Sequence, residues 1–338
     1  MDLINQLASE LELSREQVSR TVKLFDEGNT LPFIARYRKE VTGGLDEEEL
    51  RRLEERLIYL RNLEARKEEV LRSIEEQGKL TPELAKAIKG ATIRQEVEDY
   101  YLPFRPKRRT RATKAKEQGL EPLADLIFSQ EMETGEPEEV ATAYLAPGLG
   151  VETPEQALAG AMDIIAEYIA DQAAWRKIIR DYIWEHALIV SELKKEEKEA
   201  QVYQQYHQYS EPVKRIPPHR ILALNRGEKE ECLKVGLQLE PTPLLQQLEA
   251  LVLKNKASIF TSYLKATIED SFNRLIFPSI EREIRTALTE KAEEQAIKVF
   301  GLNLRQLLLQ APVRGKTVLG IDPGFRTGCK VVVVDAIG

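Results

Sequence analysis

Cysteine is nearly absent from this 338-residue chain: Cys232 and Cys329 lie far apart and lack the paired spacing of a metal knuckle. A disulfide framework and a cysteine-built zinc site are excluded, and a reducing, cytoplasmic setting is the simplest expectation. Histidine is almost as scarce. His186, His207 and His219 are scattered, and none stands at a spacing that would assemble a base, an acid and a nucleophile. Aromatic residues make up only 7% of the chain. No stretch approaches the ~20 apolar residues needed to span a bilayer. The start, "MDLINQLASE", reads as an amphipathic helix and not as a signal peptide. No membrane partner is expected. Walker, dinucleotide-glycine and HExxH patterns are missing, so neither a cofactor nor a metal is expected. An excess of positive charge is missing too. The net charge is −7, whereas proteins that coat nucleic acid are usually basic, so any phosphate contact must be local.

What is present is helix-forming material. Hydrophobic residues make up 42% and charged residues 31%, rich in Leu, Glu, Lys, Arg and Ala, the composition of a mainly α protein about two domains long. Ser14 with Gln17 forms a capping box ahead of Val18, Val22 and Phe25, and Gly28 stops that helix. Thr30 opens "LPFIARYRKEV", expected to continue helical to Gly43–Gly44. The pair has the outline of a helix-turn-helix. Asp46 and Glu49 cap a long helix to about Gln77, with Leu50, Leu53, Leu57 and Leu60 as a packing stripe. Thr81–Pro82 starts a shorter helix, and "DYYLPFRPKRRTRATKAKEQGLEPLA" reads as irregular. Thr153, Pro154 and Gln156 start a helix expected to reach about His186.

Farther on, residues 190–201 read as a charged helix and "YHQYSEPVKRIPPHR" as an irregular linker. Residues 232–240 alternate with period two, which predicts a half-buried strand without identifying its partner. A helix over about 257–276 should break or kink at Pro278. β-Structure returns at residue 317. The expected architecture is a multi-helix array with a helix-turn-helix-like start, one or a few short strands, and a terminal β-hairpin. Its expected divisions are 1–150, 151–316 and 317–338.

The last stretch, "VLGIDPGFRTGCKVVVVD", is two strands around a turn with Asp322 ending the first. Strand, turn and returning strand with an acid at the elbow describe the opening of an RNase H-like or actin-like fold. In the nucleases that acid binds a divalent metal; in the kinases and ATPases the hairpin holds phosphates. Either chemistry needs groups from later strands, so Asp322 is expected to be vestigial.

Four segments carry a resemblance: "LPFIARYRKEVTGGLDEEELRRLEERLIYLRNLEARKEEVLRSI", "YLPFRPKRRTRATKAKEQGLEPLA", "IEREIRTALTEKAEEQAIKVFGLNLRQLLL" and the terminal hairpin sequence. Along essentially its whole length the chain resembles the amino-terminal half of the Tex family of bacterial transcription accessory proteins. The resemblance implies that an RNase H-like domain of the resolvase type would begin at the hairpin. Helix-hairpin-helix modules would follow, then an S1 domain that dominates nucleic-acid binding. The family is also similar to a eukaryotic elongation factor that chaperones histones. The chain then reads as a fragment ending at the first corner of that RNase H-like domain. RNA or DNA would be bound mainly through modules it lacks, with the transcription machinery as a further partner.

Two segments could touch phosphate directly. "RPKRRTRATKAK" holds Arg105, Lys107, Arg108, Arg109, Arg111, Lys114 and Lys116 with no acid between them. Tyr100, Tyr101 and Phe104 precede it, either as stacking platforms or as anchors in a core. "ARYRKE" places Arg36, Arg38 and Lys39 on the second helix of the hairpin. The alternative for both is pairing with acids of the same chain. Glu281 and Glu283 flank Arg282, but residues two apart on a helix point away from each other and make no carboxylate dyad. The expected function is a non-enzymatic scaffold of a transcription accessory, nucleic-acid-binding protein. The alternative is a fragment of an RNase H-like nuclease or resolvase, inactive for want of its other strands. A nucleotide-dependent kinase or ATPase is the third reading.

Overall fold

The computed structural model describes residues 3–106, 108–194, 198–311, 315–324 and 328–337. The chain begins with α1 (Leu3–Leu11), α2 (Arg15–Asp26) and α3 (Leu31–Tyr37). The Ser14–Gln17 box opens α2, with the Gln17 amide N–H donating to the Ser14 hydroxyl at 3.2 Å. α3 is shorter than its sequence suggests. It ends at Tyr37, and Thr30 makes no side-chain cap. The chain then turns through residues 39–43, held by the Thr42 hydroxyl on the Lys39 carbonyl at 2.9 Å. α4 (Glu47–Glu76) starts from the Asp46–Glu49 box and buries Leu50, Leu53, Leu57, Leu60, Leu63, Val70 and Ile74. That stripe joins Leu7, Val18, Val22, Ile34 and Val97 in one core.

After α5 (Pro82–Gly90) and α6 (Arg94–Tyr101) comes the stretch expected to be irregular. It is mostly helical: a 3-10 turn (Leu102–Phe104), α7 (Arg111–Glu117) and α8 (Glu121–Ser129). Prolines at helix starts, where the missing N–H costs nothing, account for the misleading punctuation. α9 (Pro137–Thr142) follows. The helix expected to reach His186 is two helices, α10 (Pro154–Ala170) and α11 (Ala173–His186), separated at Asp171–Gln172.

Residues 188–193 form β1 (Leu188–Leu193), and Gln208–Pro212 within the expected linker form β2. The run of Lys and Glu residues that masks β1 starts at Lys194, and within the strand only Glu192 belongs to it in kind. α12 (Pro218–Lys229) leads to β3 (Leu233–Gln238), the strand visible in the sequence. Its partner is β1, in an antiparallel sheet ordered β2-β1-β3 with Val190 opposite Ser210 and Gly236. α13 (Thr242–Val252) and α14 (Thr261–Asp270) follow. At Pro278 the chain does not break. A π-helical turn (Ser271–Ile276) precedes α15 (Phe277–Leu308), and such a wider turn makes room for a residue without an N–H. β4 (Val318–Gly324) and β5 (Gly328–Val334) pair as an antiparallel hairpin, exposed along nearly all its length.

The chain divides into two compact units, Met1–Asp181 with Pro241–Ser279, and Tyr182–Glu240 with Ile280–Gly338. Within the first, Asp99 is buried and accepts from Arg176 at 3.3 Å and Arg180 at 2.8 Å. Gln130, buried at φ 59°, pins the segment after α13: its Oε1 accepts from the Lys254 and Asn255 amides at 2.8 and 3.1 Å. Within the second, α15 seals the outer edge of β3. The Leu237 amide donates to Glu281 Oε1 at 2.8 Å, and Arg285 donates to the Val235 carbonyl at 3.2 Å. An exposed strand edge is a template for unwanted pairing, so Glu281 is explained as an edge cap.

Candidate nucleic-acid interface

The basic segment owes its presentation to small residues beneath it. Thr110 caps α7, its hydroxyl accepting the Thr113 amide at 3.0 Å and meeting Glu167 at 3.2 Å. Ala112 and Ala115 are buried. A Cβ added at Gly160 of α10 would stand 3.4 Å from the Ala115 Cβ and 2.3 Å from Leu120 Cδ1. Only glycine permits that approach of the two helices. With the alanine face down, Arg111 and Lys114 are exposed one turn apart on the same side of α7.

The cations of the segment divide into two groups. Arg105 donates to Glu98 at 2.5 Å, Arg109 to Glu117 at 2.6 Å and Lys116 to Glu121 at 2.8 Å. Arg108 and Lys114 are exposed and make no ion pair among the described residues. Arg111 acts at longer range on Asp163, whose carboxyl is pushed up by burial against the pull of Arg274 and Arg111. Lys107 lies outside the described residues. Tyr100, Tyr101 and Phe104 pack against the amino-terminal core, and the Tyr101 hydroxyl lies 3.1 Å from that of Ser73. They anchor the segment.

Glu98 organises a wider cationic group that sequence order conceals. It takes two hydrogen bonds from Arg66 of α4, at 2.8 and 3.1 Å, besides that from Arg105, with Arg94 3.8 Å away. Burial opposes its ionisation, but the hydrogen bonds and charge of Arg66, with the charges of Arg105 and Arg94, outweigh it and hold the carboxyl below its ordinary range. Spacing announces only the Arg94–Glu98 step, one turn apart on α6; nothing in it brings in Arg66, since α4 and α6 must pack before that contact exists.

The second basic group is only partly helical. Arg36 is exposed near the end of α3. Arg38 caps that end and lies over the Phe33 ring at 5.1 Å. Lys39 is exposed in the following turn. Tyr37 between them is 66% exposed. Asp322 stands on the exposed hairpin opposite Lys330. Among the described residues no three histidine, cysteine or acidic side chains are grouped as metal ligands.

Two family models match the chain: the Tex-like protein N-terminal domain over residues 1–75 and the Tex central region-like model over residues 132–300. The chain is 48% identical to the protein YdcI of Bacillus subtilis, with 99% of this chain and 47% of that protein covered. It is 43% identical to Protein tex of Bordetella pertussis, over 99% of this chain and 44% of that protein. It is 31% identical to S1 RNA-binding domain-containing protein 1 of Pongo abelii, over 98% of this chain and 34% of that protein. The chain thus spans about half the length of its bacterial relatives or less.

Proposed function

The chain belongs to the Tex family, and from that premise we propose that it is the non-enzymatic helical scaffold of a transcription accessory protein, with a weak phosphate-binding face of its own on α7 and the residues just before it. A relative named for an S1 RNA-binding domain supports an association with nucleic acid. The observation that carries the local reading is the division among the cations. Arg105, Arg109 and Lys116 are engaged by acids of the same chain, while Arg108, Arg111 and Lys114 face solvent. Each phosphate neutralised adds to the salt dependence of binding, so a face of this size gives a slope of about −2 to −3 in log K against log salt. That is far too little for tight binding at physiological ionic strength. The transcription machinery is a partner on this reading only through the family.

Titration of labelled single- and double-stranded oligonucleotides at about 50 and 200 mM salt tests this. Binding should be measurable at the lower salt, fade at the higher, and vanish in Arg108→Ala/Arg111→Ala/Lys114→Ala. Tight, salt-resistant binding would overturn the scaffold reading. The non-enzymatic part rests on Asp322 being, among the described residues, the one acid within the strands of an exposed hairpin, whereas two-metal hydrolysis needs several carboxylates around one point. Cleavage of DNA or RNA with magnesium or manganese that disappears in Asp322→Asn would refute it.

A further inference from the structure

The end of α3 presents an aromatic ring that the core does not take in. Tyr37 is 66% exposed and packs against Phe33, one turn earlier, with centroids 5.3 Å apart and planes at 45°. The Arg38 guanidinium lies 5.1 Å from the Phe33 centroid and donates to the Tyr37 carbonyl at 3.1 Å, which steadies the pair. Arg36, Arg38 and Lys39 are exposed and make no ion pair among the described residues. Glu40 is the one acid between residues 31 and 45. The turn beyond is fastened to α2. Gly43, at φ 71°, lets the Gln17 side chain approach, and the Gln17 amide donates to its carbonyl at 3.1 Å.

A recognition helix reads bases by lying in the major groove. α3 has only seven residues, and Arg38 and Lys39 lie past its end, so the patch lacks that geometry. An exposed ring among unpaired cations suits an unpaired strand, whose bases offer their faces for stacking while its phosphates meet the cations. In a duplex those faces are covered by neighbouring bases. We propose that the end of α3 holds single-stranded nucleic acid, one base stacked on Tyr37 and the flanking phosphates on Arg36 and Lys39. The inference rests on the reading that this chain meets nucleic acid. It adds a preference for unpaired strands that the α7 face has no means to express, since Tyr100, Tyr101 and Phe104 are taken into the amino-terminal core.

Tyr37→Trp places a fluorescent ring at the site, with the parent chain, which holds Trp175 and Trp184, as background. A thymidine oligonucleotide and a duplex of equal length are titrated into each at about 50 mM salt. The single strand should quench the added emission and the duplex should not. Arg36→Ala/Lys39→Ala in the Tyr37→Trp chain should raise the half-quenching concentration about five-fold or more, through the loss of two phosphate contacts. Tyr37→Ala should weaken binding of the labelled single strand about five-fold or more, the size of one base–aromatic stack, and leave duplex binding unchanged. Quenching should persist in Arg108→Ala/Arg111→Ala/Lys114→Ala at oligonucleotide concentrations above the range of the α7 titration, so failure of one site is read apart from failure of the other. Absence of quenching would overturn the proposal. So would equal quenching by duplex, which would mark a general phosphate surface, or stronger quenching by a glutamate-rich peptide, which would mark a dock for an acidic protein segment.

Discussion

α4 and α15 are close in length, 30 and 32 residues, yet they use their apolar residues differently. α4 buries a leucine-rich stripe from Leu50 to Ile74, and even Lys67 is drawn in, its ammonium satisfied by Glu64 at 2.7 Å and the Lys89 carbonyl at 3.1 Å. α15 does the same only as far as Ala292, through Ile280, Ile284 and Leu288. Beyond that, Ile297, Phe300, Leu304, Leu307 and Leu308 recur at three- and four-residue steps and are exposed. Single apolar residues scattered over a surface are ordinary, but a continuous stripe of this kind is not. The contrast separates two properties that a hydrophobic pattern tends to merge. Periodicity specifies which face of a helix is available for burial, and an opposing element decides whether it is buried.

Point substitutions make the contrast measurable. Leu53 of α4 is fully buried, and Leu53→Ala removes apolar atoms and leaves a cavity, so unfolding in urea should show a loss of about 2–5 kcal/mol. Leu307, 59% exposed on α15, should tolerate the same change within about 0.5 kcal/mol. Comparable losses at both positions would mean that the bare stripe is covered in solution.

The same separation governs what could be read in advance. Capping boxes at Ser14, Asp46 and Thr153 act within one helical turn, and all three stand where the sequence places them. The stripe of α4 was legible because every turn contributes to it. β1 and β2 were not, because strands of six and five residues carry too little pattern to outweigh the Lys- and Glu-rich segment between them. β3 alternates cleanly, but its pairing with β1, more than 40 residues earlier in the chain, leaves no local mark. At the candidate interface the basic run itself was plain. Its division into held and free cations depends on Glu98, Glu117 and Glu121, and the Arg66–Glu98 pairing arises only when α4 meets α6.

α7 sharpens the comparison, since its covering depends on the absence of a side chain. Gly160→Ala would drive a methyl group to 2.3 Å from Leu120 Cδ1, in a core where Leu120 is fully buried. Overpacking of this kind costs about 1–3 kcal/mol. The expected result is a lower urea midpoint with faster amide exchange over residues 111–117. Unchanged exchange there would show that the seam has slack.

The polar faces of α4 and α15 yield the smallest effect and the most specific one. Arg66 of α4 is clasped by Glu98, whose side chain is 20% exposed. On α15, Lys298 and Glu294 form a pair one turn apart with both side chains more than 60% exposed. Both carboxyls are held below the ordinary range, Glu294 chiefly by its hydrogen bond from Lys298, and Glu98 because its arginines outweigh the opposing effect of burial. A carboxyl depressed in the folded state contributes stability that is fully present above its unfolded pKa of about 4.3 and is lost as pH falls through the folded value. Glu98→Gln should therefore cost about 1 kcal/mol at neutral pH, and the gap from the parent protein should close as the solution is acidified below pH ~4. Glu294→Gln should track the parent at every pH, because an exposed pair is screened by water and salt. A gap for Glu98→Gln that stays constant down to low pH would assign its effect to lost packing and not to charge.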